Sequence, residues 1–331
     1  MQRFILIYCC VLLLNFTVQA QHHRQLGSFS QFQQYYNPSL TGFNGAAVKT
    51  LYRNQWTGFE DAPKTLLATA ELDLKSLKHG KGYQFGKQDS EDYLKSISAR
   101  HAIGISVMHD RFGPSKETGL ALSYGAGIRV SETLGLRWGA ALTYKQQQLD
   151  GNSLTVDQEN DPRYANVLGR RNRMGKADLD VGLALSAAKF YVGYALQNAS
   201  KGKLLTTGDD YLNDLYTRRH MVQAGFRTLV SSDIGVVLSG NYQYDTKYDS
   251  MLEGQLKAVY RNMFWVGGGY RNNTAYSILG GLRINQLGIH YTYESPVADA
   301  RYMNKVTNEI ALSYTLRKIK QDSASQQPGL W

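Results

Sequence analysis

Fourteen stretches of roughly ten residues, each alternating apolar and polar, follow one another from Ala46 to about Lys318. Within 134–144, Leu134, Leu136, Trp138, Ala140, Leu142 and Tyr144 share one face. Gly135, Arg137, Gly139, Ala141 and Thr143 share the other, because successive side chains of a strand point to opposite sides. Repeated this often behind a secretion signal, the pattern predicts an all-β fold, an antiparallel transmembrane β-barrel of about 14 strands.

Residues 1–20 read as a signal peptide and are set aside from the fold. Arg3 supplies the positive start, Phe4 to Leu14 an apolar core, and Val18-Gln19-Ala20 a small-residue cleavage site. Those 11 apolar residues fall short of the roughly 20 that a membrane-spanning helix needs. Both cysteines, Cys9 and Cys10, lie in this segment, so the remaining 311 residues offer no disulfide, thiolate ligand or thiol nucleophile. Mean hydropathy is −0.38, and no later stretch approaches the length of an apolar helix. The chain is therefore either soluble or crosses a membrane as strands, whose apolar residues are diluted by alternation. Thirty-two glycines, 23 tyrosines and six prolines favour strands, with small residues inside a barrel and tyrosines at the lipid boundary. The net charge of +10 is spread through strands and loops. Such a spread suits anionic outer-membrane lipid or an acidic partner, not nucleic acid.

Four regions result: 1–20, a periplasmic or lumenal lead-in over 21–45, the barrel over 46–318, and a polar tail over 319–331. From the fourth strand onward short joins, such as Ser131-Glu132-Thr133 and Ala188, alternate with mostly longer ones such as 148–176 and 198–218. Short periplasmic turns and longer extracellular loops produce this alternation, which puts both barrel termini on the periplasmic side. The connection 75–100 is the exception, being long on the short side. The inward set is charged with both signs, including Arg53, Glu71, Arg137, Glu253, Arg271, Glu294 and Glu309. In a dry core each unpaired ion would cost several kcal/mol, so a hydrated lumen with ion pairs across strands is expected. A large two-sheet soluble protein is the competing reading of the same alternation.

Catalytic constellations are thin. His101, His109, His220 and His290 fall on separate strands, and no metal-ligand spacing occurs, so neither metal nor cofactor is expected. Asp178 and Asp180 share an inward face and read as countercharges for Arg137 and Lys145. Gly267-Gly268-Gly269 and Gly280-Gly281 sit mid-strand, with no helix start behind them to cradle phosphate. The loop 150–176 carries Arg163, Arg170, Arg171 and Arg173, a surface for acidic groups on a partner or lipopolysaccharide, or simply a solvated loop. The loop 198–218 carries Tyr211 and Tyr216, which would dock a partner or fold back over the barrel mouth.

Asn37-Pro38, with Tyr35 and Tyr36 before it, and the block Tyr52-Arg53-Asn54-Gln55-Trp56-Thr57-Gly58-Phe59 carry a resemblance. Together they resemble the opening signature of the PorP/SprF family of outer-membrane barrels, associated with type IX secretion and gliding motility. His109–Pro114, Phe264–Arg271 and Asn308–Tyr314 extend the likeness over nearly the whole mature chain. Leu316 departs from it, standing where such barrels commonly end on an aromatic residue. The resemblance implies a non-enzymatic partner for a secreted cargo protein with a C-terminal sorting domain, working with periplasmic and outer-membrane secretion components. On this reading Tyr52 and Trp56 sit at the lipid boundary, while Arg53 and Gln55 point inward and tether the lead-in. Bracing of the first strand against the last is the plainer role for the same residues. A passive porin or small-solute transporter is the alternative function.

Overall fold

The computed structural model describes residues 25–74, 100–153, 171–208, 216–247, 250–297 and 305–316. The signal segment, the 75–99 connection and the C-terminal tail lie outside these residues. The strands in chain order begin with β1 (Ala47–Asn54), β2 (Lys64–Asp73), β3 (Arg100–Phe112), β4 (Ser115–Arg129) and β5 (Gly135–Asp150). Then come β6 (Arg171–Ser186), β7 (Phe190–Gln197), β8 (Leu205–Gly208), β9 (Arg219–Leu229) and β10 (Ile234–Asp245). The last five are β11 (Met251–Tyr260), β12 (Phe264–Arg271), β13 (Ala275–Ile284), β14 (Leu287–Pro296) and β15 (Thr307–Thr315).

Fourteen of these described strands form one closed antiparallel wall, each pairing with its sequence neighbours, β7 pairing with β9, and β15 returning to β1. Closure leaves the wall no open edge, which a bilayer demands. At the seam Ala47 faces Thr315 and Arg53 faces Glu309. The extra strand, β8, lies against Met174–Ala177 of β6, above the point where β7 stops. Among the described residues no helix is long and apolar enough to cross a membrane.

The alternation seen in sequence is the inside–outside alternation of the wall. Along β11, Met251, Glu253, Gln255, Lys257 and Val259 are buried inward, while Leu252, Leu256 and Tyr260 are exposed outward. Leu122, Leu142, Leu183 and Ile278 extend the apolar exterior over other strands. Tight turns close one end of the barrel. Arg261 and Asn262, at φ 48° and 55°, give the β11–β12 turn its left-handed pair, closed by the Met263 amide donating to the Tyr260 carbonyl at 2.9 Å.

Several boundaries differ from the sequence reading. β5 and β6 run on to Asp150 and from Arg171, so Arg171 and Arg173 belong to a strand and not to a loop. Their ladder continues with Gln148 opposite Arg173, where neither face meets lipid and hydrophobic alternation gives no signal. Likewise β3 continues through Asp110-Arg111-Phe112, leaving Gly113-Pro114 as the hairpin.

Candidate functional site

The inward face is not lined by water alone. Residues 25–45 run through the lumen from the loop end to the turn end, where they join β1. Locally the segment is compact, with a helical turn at Gln33–Tyr36 and a 3-10 turn at Pro38–Leu40. Asn37 caps the second, its Oδ1 accepting from the Ser39 amide at 3.0 Å and the Ser39 hydroxyl at 2.7 Å. Pro38 follows at the first position, where its missing amide is no loss. Leu26, Phe29, Phe32 and Tyr36 pack against Leu51, Leu67, Met108, Met221 and Ala311 of the wall. Leu40 and Phe43 pack against Tyr191, Val237, Val259 and Trp265. Each fully buried side chain of this size contributes roughly 1.5–3 kcal/mol.

Polar contacts fix the segment along its length. Near the loop end Gln25 donates to Gln243 at 3.0 Å, and the Gly27 and Ser28 amides donate to Glu309 at 2.9 and 2.8 Å. Lys257 donates to the Ser30 hydroxyl at 2.8 Å, and Gln31 bonds His290 at 2.7 Å. Gln197 donates to the Tyr35 and Tyr36 carbonyls at 3.0 and 3.1 Å. Near the turn end Arg137 donates to the carbonyls of Ser39 and Thr41 at 2.9 and 2.8 Å, and the Gly42 amide donates to Glu71 at 2.7 Å.

A groove of small residues makes room for residues 37–41. Ala102, Gly125, Gly139, Gly182 and Ala195 stand directly opposite one another across β3 to β7. A Cβ on Gly139 would collide with the Pro38 carbonyl, and one on Gly182 with the Asn37 side chain. One on Gly125 would lie 2.9 Å from the Thr41 carbonyl.

Arg53 stands at the centre of a buried ion network. Its guanidinium bonds Glu294 at 2.6 Å and Glu309 at 3.2 Å. Arg271 bonds Glu294 at 2.9 Å and Glu253 at 3.0 Å. Three carboxylates thus share two guanidiniums, and the surplus acceptors take donors from the segment and the wall. Glu309 receives the Gly27 and Ser28 amides, while Gln255 bridges the Glu253 carboxylate and the Gly27 carbonyl at 3.2 and 2.6 Å. Buried charges are tolerable when paired in this way, although the Arg53 Nε finds no acceptor.

The other residues singled out in sequence scatter. Tyr52 is 46% exposed on the outer wall. Asn54 ends β1, and Gln55 and Trp56 lie in the turn beyond it, where the Gln55 amide donates to the Pro63 carbonyl at 2.9 Å. Trp56 meets Phe112 edge to face at 5.8 Å, and Phe59 is exposed at the loop-end rim. Arg173 is exposed on β6. Tyr216 lies inside the mouth with the ammonium groups of Lys145 and Lys176 over its ring at 5.6 and 5.5 Å. Burial, then the charges of Asp178 and Asp180, push its phenol pKa up. Arg163, Arg170 and Tyr211 lie outside the described residues, as does the side chain of Arg171.

Asp178 and Asp180 do keep Lys145 as a countercharge, but not Arg137, and their hydrogen bonds go elsewhere. Arg137 is committed to the lumen segment, and Lys145 donates to Asn198 at 3.1 Å. Asp178 instead accepts the Ser200 amide and hydroxyl, both at 2.8 Å, and Asp180 accepts the Asn198 amide at 2.8 Å. The pair holds down the loop after β7, because backbone amides there have no ladder partner. His101, His109 and His220 face outward, bonded to Tyr124, Thr118 and Tyr194 respectively. Among the described residues no group of His, Cys, Asp and Glu could hold a metal ion. The groove of small residues was missed in sequence, although inward-parity glycines on successive strands are a signal that could have found it.

No curated protein matches the chain. Several solved outer-membrane proteins resemble its structure at low identity. The outer membrane protein Omp33 of Acinetobacter baumannii is 9% identical with a TM-score of 0.44, covering 82% of this chain and 96% of its own. The toluene transporter TodX of Pseudomonas putida is 8% identical at 0.45, covering 88% and 94%. A FadL homologue of Pseudomonas aeruginosa is 8% identical at 0.43, covering 85% and 93%. The barrel assignment here stands on the closed strand ladder, not on these scores. The family model described as type IX secretion system membrane protein PorP/SprF matches residues 18–314. With its closed wall of apolar-faced strands, this chain is an outer-membrane protein and belongs to the PorP/SprF family of the type IX secretion system.

Proposed function

We propose that this barrel is a non-catalytic docking partner in type IX export, working in secretion or gliding motility. Its loop-end rim binds a secreted protein through that protein's C-terminal sorting domain, anchoring it at the surface or aiding its export. The turn end meets periplasmic components of the machinery. The observation that supports this reading is the occupied lumen, since a barrel filled by its own residues 25–45 suits a scaffold better than a conduit. The extension of β5 and β6 beyond the lipid-facing band supplies a raised rim on which cargo can rest.

Affinity purification of the tagged barrel from native membranes tests the proposal. Secreted proteins with the sorting domain should be enriched with it, and removal of residues 154–170 should reduce that recovery severalfold while leaving the barrel folded. Undiminished recovery takes that loop out of the mechanism. Absence of any such cargo, together with stable single-channel currents from the intact protein in planar bilayers, would replace docking with a porin function.

A further inference from the structure

We infer that the outer wall binds the phosphorylated headgroup of a lipid A-type glycolipid where β2, β3 and β4 reach the loop end. Lys64 stands directly opposite Arg111, and Arg111 directly opposite Lys116. All three are exposed and share the outward parity of Leu66, Val107 and Leu120 beneath them. Strands lie about 4.8 Å apart, so the cations span roughly 10 Å along the rim.

Like charges directly opposite each other on a sheet repel and weaken the pairing. The wall itself relieves little of this. Among the described residues the acid facing the row is Asp61, 4.0 Å from Arg111, with both side chains more than half exposed. The flanking carboxylates of Asp110 and Glu117 are buried on the other face, where they accept from Thr65 and Gln147. An external anion is the complementary partner.

Height selects a lipid as its source. Directly below the row, His109 bonds Thr118 at 3.0 Å, and the next pair down is Val107 and Leu120, which are apolar and exposed. The cations therefore stand one polar pair above the hydrocarbon band, at the level of headgroups, with stems long enough to lie along it. Elsewhere at the loop end exposed cations such as Arg173, Arg218 and Lys305 occur singly, Arg173 standing opposite Gln148, among outward tyrosines such as Tyr244, Tyr270 and Tyr276. Among the described residues, exposed cations directly opposite one another on adjacent strands are found on β2, β3 and β4. A row of this length suits a headgroup carrying two separated phosphates better than a single phosphodiester. Longer loops mark this end as the outward-facing one, the leaflet where phosphorylated glycolipid resides. The inference does not depend on cargo docking.

Native mass spectrometry of the delipidated full-length protein, supplied with diphosphorylated lipid A, its dephosphorylated form or phosphatidylglycerol, tests the site. Lipid A should be retained at least tenfold more by the native protein than by the Lys64→Gln, Arg111→Gln, Lys116→Gln triple variant. The dephosphorylated form and phosphatidylglycerol should not be retained. Equal retention of lipid A by the two proteins, or retention of either control lipid by the native protein to the same extent as lipid A, would overturn the assignment. Should the triple variant lose heat-modifiable migration, the Lys64→Gln, Lys116→Gln pair and the lipid comparison on native protein still decide it.

Discussion

Arg53 links three parts of the chain that are remote in sequence. It belongs to the first strand, pairs with carboxylates on β14 and β15, and through Glu309 reaches the amides of Gly27 and Ser28. Removing the guanidinium leaves two buried carboxylates short of a partner, a change that typically costs about 3–5 kcal/mol. Arg53→Ala should therefore loosen residues 25–45, seen as faster proteolysis within them, while the barrel still migrates heat-modifiably. Unchanged proteolysis would show that Arg53 does not hold the segment. The inward direction of Arg53 was legible from its alternation with Tyr52. Its partners, 241 and 256 residues away, were not, because one sequence carries no register across the seam.

At the scale of elements, the strands were legible and their interior was not. All fourteen wall strands match alternating stretches, since apolar positions facing lipid must repeat every second residue. Leu122 is 51% exposed on the outer face of β4, so Leu122→Arg places a cation against hydrocarbon at roughly 2–4 kcal/mol. Loss of heat-modifiable migration is the expected result, and normal assembly would reverse the assigned faces. Where the wall leaves the membrane, the signal fails: the polar ladder of β5 and β6 near Gln148 and Arg173 has no lipid to impose alternation. The 3-10 turn at 38–40 is set by Asn37 and Pro38, which in sequence marked the lead-in and the family resemblance but gave no destination. That destination depends on Gly125, Gly139 and Gly182, whose missing side chains leave the groove. Gly139→Leu should push residues 37–41 off the wall, so that a cysteine placed at Ser39 reacts with a soluble maleimide at least tenfold faster than in the Gly139 background. Equal reaction rates would mean that the groove is not needed.

For the whole molecule, the decisive property is a filled interior. Apolar residues 26–43 meet an inward face that already mixes Leu51, Leu67 and Val237 with its charges, so wall and filling together make one core. A chain lacking residues 25–44 should still form strands in detergent, yet show steady conductance in planar bilayers where the intact protein is silent. Silence in both would mean that other parts of the chain block the lumen. The sequence announced a charged interior and a lead-in that was either periplasmic or lumenal, and did not choose between the two, because the inward charges alone are equally consistent with water.

The seam carries a consequence for how the protein is made. Glu309, on the final strand, grips amides that precede the first strand, while Arg53 opposite it in the ladder shares the same carboxylate. Glu309 therefore has its full set of donors at the seam only when the leading residues lie inside. A polypeptide built this way checks its own beginning with its end, since an empty ring would leave Glu309 with Arg53 alone and a weaker join.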